Sequence, residues 1–401
     1  MLITRIVQTC TLRRATTTTY LYRHFANTNS YNSDPFGDAE AAREESMEQE
    51  ANNGNKTVKL DQHKYEDYKG QEYYKTMQTE QAIQGMQTEI RHLYANNEYE
   101  QALMMAAELV ERCEVHFGKS HPVTASSYNN MAVMHKVLGQ FEESREKYHQ
   151  ALRVYDEIVG KKHLSYAAAL HNLGILEKDQ ARIDTERNAM DRMALLESAI
   201  EQLNSALEIR KESLGEAHPD TISSRTNLGS AIAAQVLQGG GSKGNLPKQS
   251  AFTKRRWKVA ETHLRTALRH SMENKSEEED AIEMDSSLEG LPKIRTLSAA
   301  RMAQNLAVFL KSRAEQLASS KTKSAEVDIG EMLAESRSLY EAALTVRMGL
   351  LGAEHPDTIS SKFSLAELVA FLGDEEDANK MRQEIVDLLG QADGEEEAKR
   401  K

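Results

Sequence analysis

The sequence predicts an all-α fold, a solenoid of about six stacked helix-turn-helix repeats, and three observations predict it. His218-Pro219-Asp220-Thr221-Ile222-Ser223-Ser224 recurs residue for residue from His355 to Ser361. Asn130-Met131-Ala132, Asn172-Leu173-Gly174, Asn227-Leu228-Gly229 and Asn305-Leu306-Ala307 hold one place in successive units, 42, 55 and 78 residues apart, and Ser364-Leu365-Ala366 follows 59 later. Between these marks apolar residues fall at three- and four-residue intervals, as at Tyr148, Ala151, Leu152 and Tyr155, which is helical spacing.

Residues 1–33 contain no Asp or Glu, four arginines (Arg5, Arg13, Arg14 and Arg23) and a hydroxyl run from Thr16 to Thr19, while Leu2, Ile3, Ile6, Val7 and Cys10 share one face of a helix. That composition marks a mitochondrial presequence over 1–25, with Arg23-His24-Phe25 before Ala26 resembling a matrix-processing site. Removing it takes away four positive charges and no negative ones, so a formal net charge of −12 becomes −16. An acidic mature chain argues against a general nucleic-acid surface. No stretch is long and apolar enough to suggest a membrane span. Cys113, the cysteine left after processing, cannot form an internal disulfide, which fits a reducing compartment such as the matrix.

Residues 26–75 read as a polar linker, mostly disordered, and 391–401 as a charged, disordered tail. The repeats occupy 76–390, as helix pairs at 78–117, 121–159, 163–214, 218–272, 293–350 and 355–389. Spacings above the base period of 42 imply insertions, expected at 182–192, 239–253, 273–290 and 319–328, where loops and helix ends absorb them cheaply. His-Pro-Asp opens a first helix, with Pro at the first helical position and Asp in the first turn. Glycine closes helices at Gly139, Gly160, Gly215 and Gly352.

A helix pair with Ala or Gly where the helices touch, an aromatic opening the second helix (Phe141) and Ala-Leu three turns later resembles the tetratricopeptide repeat over most of the chain. The 42-residue period, with His-Pro-Asp at the start and Ala-Leu-x-Ile-Arg at the exit, is similar to the repeats of kinesin light chains. The eight residues beyond the usual 34 add about one turn to each helix. The resemblance implies a right-handed superhelix with a groove lined by the first helices, and the residue before the Leu-Gly or Leu-Ala pair would face it. Asn130, Asn172, Asn227 and Asn305 stand there, with Arg301 one turn before Asn305 and Ser364 departing from the pattern. Each amide offers a donor and an acceptor to the backbone of an extended peptide, or alternatively bonds to the neighbouring repeat. With Ser126, Ala168 and Ser223 a turn earlier and Val133, Ile175, Ser230 and Val308 a turn later, the groove reads as neutral and partly apolar, which disfavours an acidic tail as partner.

No Walker loop, dinucleotide-binding glycine turn, His-Glu-x-x-His or paired-cysteine metal spacing occurs, so no catalytic residue, metal or cofactor is expected. His121, His218 and His355 read as helix-start residues. Lys254-Arg255-Arg256-Trp257-Lys258 reads either as a surface for an acidic partner or RNA, or as a charged helix start whose Trp257 is core. The functional expectation is a non-enzymatic scaffold that binds a protein or extended peptide in the mitochondrial matrix, an assembly factor for a respiratory or ribosomal complex. The alternative is a cytosolic cargo adaptor like kinesin light chain. That reading needs an N-terminal coiled coil, and residues 26–75 show no sustained apolar heptads.

Overall fold

The computed structural model describes residues 62–184, 186–239, 251–273, 294–318 and 326–399. The expected presequence and much of the insertions at 239–253, 273–290 and 319–328 lie outside them. The described residues form twelve helices and no strand. They are α1 (Gln62–Ala95), α2 (Tyr99–His116), α3 (Pro122–Val137), α4 (Phe141–Ile158), α5 (Leu164–Ile183), α6 (Ala189–Leu214), α7 (Pro219–Gly239), α8 (Ala251–Glu273), α9 (Leu297–Ala318), α10 (Glu326–Leu351), α11 (Pro356–Phe371) and α12 (Glu375–Lys399). These are the six expected pairs, and the 182–192 insertion becomes a short turn between lengthened α5 and α6. The outer boundaries differ from expectation. Helix α1 begins inside the expected linker, at Gln62, and between there and residue 75 no proline and only Gly70 oppose helix formation, while α12 runs through the expected tail, which is rich in the helix formers Glu, Ala and Lys.

The chain divides into two compact units, one ending at Ile183 and completed by 201–213, the other made of 184–200 and the residues from Leu214 onward. In the first, α1 packs on α2, α2 on α3, α3 on α4 and α4 on α5. Its core holds Ile90, Leu109, Met134, Tyr148, Tyr155 and Leu176, all fully buried. In the second, α7 through α12 pack pairwise in chain order around Leu264, Leu306, Phe309, Leu310, Tyr340 and Leu368.

One device closes a hairpin in each unit. Ser144 of α4 donates its hydroxyl to the carbonyl of Ala132 on α3 at 2.7 Å, and Ser336 of α10 does the same to Ala307 of α9 at 2.9 Å. Both acceptors are the small residue after an Asn-Met or Asn-Leu pair, where a side chain no larger than a methyl lets the helices approach. Gly229 shows how close they come, since a Cβ there would stand 3.0 Å from Leu264 Cγ and 3.1 Å from the Ala260 carbonyl. Helix stops follow the sequence reading. Gly139, Gly160, Gly215 and Gly352 all have φ between 75° and 89°, a region that side chains disfavour.

Candidate partner-binding face

The recurring histidines are helix caps. Nδ1 of His121, His218 and His355 accepts from the backbone N–H two residues on, at 3.2, 3.2 and 3.1 Å. His163, which lacks the following proline and so escaped the motif, caps α5 in the same way at 3.1 Å. Among the described residues no cluster of three or more His, Cys, Asp or Glu is placed to hold a metal. Cys113 is buried, and desolvation pushes its thiol up to about 11, which keeps it an inert interior group.

The asparagine ladder is divided between the units. In the first, Asn130 and Asn172 are buried, and both belong to an amide chain that runs through Asn129. Asn172 Nδ2 donates to Asn129 Oδ1 at 3.2 Å, and Asn129 Nδ2 faces Asn130 Oδ1 at 3.5 Å. These amides join α3 to α5. In the second unit Asn227 is buried and donates to the Ser223 carbonyl of its own helix at 3.2 Å, while Arg301 and Asn305 are half-buried. The ladder is thus no open row of amides. Of the four, Asn172 bonds to another helix through its amide, the second of the two roles the sequence allowed, while Asn227 bonds within its own helix.

The same arc of α3 and α5 carries charge that the sequence reading stopped one turn short of. Lys136 and Lys178 each stand six residues beyond an Asn, on the side of the helix shared with Asn129 and His171. Both side chains are half-buried by surface, yet desolvation holds each ammonium below the usual lysine range, with Asp179 acting in the opposite direction. His171 is fully buried beside them, and burial, then Arg210, Lys178 and Lys136, hold its imidazole well below its ordinary value. The stretch expected to be neutral therefore carries two lysines, with the carboxylate of Asp179 beside them. The signal was a lysine at 136, 178 and 311, each six residues after an Asn, broken in the third repeat by Ala233.

His171 makes stability depend on pH in one direction. An unfolded histidine titrates near 6.5, so between that value and the lower folded one the unfolded chain holds more protons. Stability is full above about 6.5 and falls as pH drops below it, by up to about 1.4 kcal/mol per unit for this group. Melting temperatures from pH 7.5 to 5 should show the fall. His171→Gln should flatten it, and an unchanged slope would assign the effect to other groups.

In the second unit Val308 on α9 is 45 % exposed, and Lys311 lies half-buried 3.5 Å from Glu315. Trp257 is core, 3 % exposed, with its indole N–H 2.8 Å from Gln316 Oε1 and its ring edge-to-face with Phe309, which favours the structural reading of the 254–258 cluster. A buried polar knot that the sequence did not announce joins α9, α10 and α11. Arg347 donates to Gln304 Oε1, to Ser361 Oγ and, at 3.1 Å, to the Asp357 carbonyl, and Ser361 donates to Gln304 at 3.0 Å. Two parts of the repeated sequence, the Arg of Ala-Leu-x-x-Arg and the last Ser of His-Pro-Asp-Thr-Ile-Ser-Ser, thereby meet.

Residues 93–123 and 123–192 match two tetratricopeptide repeat family models. No curated protein matches the chain. Among solved structures, the chain is similar to the nearly identical TPR-like repeats of a Podosopora anserina protein described as a kinesin light chain, with 16% identity, 68% of this chain and 98% of that one covered and a TM-score of 0.43. It is also similar to BtubC (BKLC) from P. vanneervenii, with 16% identity, 74% and 92% covered and a TM-score of 0.45. These likenesses are remote, and the repeat assignment rests on the family models and the helix pairs.

Proposed function

We propose that this chain, which carries tetratricopeptide repeats over residues 93–192, is a non-enzymatic scaffold of the mitochondrial matrix that holds a segment of a partner protein during assembly of a respiratory or ribosomal complex. The observation that carries the binding role is the pair of half-buried lysines Lys136 and Lys178 on α3 and α5, which we read as a cationic recess. Burying charge costs stability, and the desolvation of Lys136 and Lys178 is a cost that a carboxylate-bearing partner segment would offset on binding. The amides of Asn129, Asn130 and Asn172 line the same arc and help to set its shape. The acid-free, arginine-bearing residues 1–33 support import.

The test joins both parts. A fluorescent fusion of the full chain should enter mitochondria, one lacking residues 1–33 should not, and the imported protein should begin at Phe25 or Ala26 on N-terminal sequencing. Retention of Met1 in the cell would remove the compartment. Affinity purification from mitochondria should then recover subunits of one complex with the wild type and lose them with Lys136→Gln plus Lys178→Gln. Equal recovery would move the binding face elsewhere.

A further inference from the structure

A second polar site lies on the other side of α3. In the first unit a cleft of about 450 Å³ opens where the α2–α3 loop meets α4, a volume that suits a small ligand. Its charged lining is Glu114, Lys119, Lys147, Arg153 and Glu157, with Tyr128 behind them. Tyr128 is two residues before Asn130, so helical rotation turns it away from the arc that carries Asn130 and Val133.

The two carboxylates do not cancel the three cations. Glu114 is engaged at both oxygens, accepting from the Tyr128 hydroxyl at 2.7 Å and lying 3.6 Å from Lys119 Nζ. Lys147 is held by neutral groups, donating to Gln150 Oε1 at 3.1 Å with Nζ 5.6 Å from the centre of the Tyr128 ring. Arg153, which lines the cleft six residues further along α4, makes no ion pair among the described residues, although Glu157 stands one turn beyond it. Burial and Glu114 push the Tyr128 phenol well above its ordinary value, so it stays a neutral donor and adds no negative charge. Two long cationic side chains thus share one cleft with no carboxylate spent on either.

We propose that this cleft binds a small soluble ligand through an oxyanion, a phosphate or carboxylate group clasped between Lys147 and Arg153. The guanidinium presents paired donors to such a group and the ammonium a point charge. The site is independent of the partner-binding face, since it needs neither Lys136 nor Lys178.

The experiment titrates the full chain with inorganic phosphate and, separately, with succinate, reading melting temperature and heat of binding at ionic strength held constant with sodium chloride. The wild type should show a saturable response to at least one probe. Lys147→Gln plus Arg153→Gln should require at least tenfold more of it, with an unchanged far-ultraviolet circular dichroism spectrum. Lys161→Gln, which removes a surface cation paired with Asp156 at 3.5 Å, should behave as wild type. A response to phosphate alone assigns a phosphoryl group, one to succinate alone a carboxylate. No saturable response to either probe, or an equal response in the double variant, overturns the proposal.

Discussion

Arg347→Ala is expected to cost the second unit about 2–4 kcal/mol, because it removes three hydrogen bonds to Gln304 Oε1, Ser361 Oγ and the Asp357 carbonyl at once and leaves a void in their place, although Gln304 Oε1 keeps the Ser361 hydroxyl. For a unit of this size that corresponds to a melting temperature lower by about 4–16 °C. Arg347 is 5 % exposed, and burial holds its guanidinium below the usual arginine range despite the carboxylate of Asp357, so the cation is tolerated at some cost. Arg347→Met decides what the knot contributes. It keeps most of the volume and removes the charge, and a melting temperature equal to wild type would show that the side chain serves as filling rather than as a donor. Calorimetry showing less than about 1 °C of change for Arg347→Ala would remove the knot from the stability of this unit.

Lys136→Gln plus Lys178→Gln is expected to weaken partner binding by about a hundredfold or more, taking a charge-assisted hydrogen bond as worth about 1.5–3 kcal/mol and allowing for incomplete additivity. Affinity of the wild type should also fall with added salt, and that dependence should be shallower in the variant. Stability should move much less. Burial disfavours both ammonium groups, and Asp179, the carboxylate beside them, keeps Arg182 at 3.8 Å. Binding by isothermal titration that is equal in the variant and the wild type would discard the recess as the partner site.

The sequence made the hairpins legible because their ends are chemical. Proline at a helix start, a histidine that caps and a glycine with positive φ act over three or four residues, and these read correctly at His121, Gly139, Gly160, His218, Gly215 and His355. The roles of the asparagines were not legible. Whether Asn172 meets a ligand or Asn129 depends on how α5 lies against α3, and that contact lies 43 residues away in sequence. Lys136 and Lys178 escaped for a different reason. Periodicity identifies what every copy keeps, and a functional recess is built from what individual copies change, as Ala233 shows by interrupting the lysine series. His163 was missed through the same bias, since its cap is intact while the Pro-Asp beside it is not.

The hydroxyl latches of Ser144 and Ser336 set the alignment of two helices from within one hairpin. A stack joined this way is mechanically modular. Tension applied along the chain would meet resistance one hairpin at a time, because detaching a terminal pair breaks one set of neighbour contacts and leaves the next pair in register. A fully drawn-out repeat of 42 residues adds roughly 140–150 Å of chain. An array of this kind can lengthen under load by losing an end hairpin, hold its remaining pairs, and recover when the load is released.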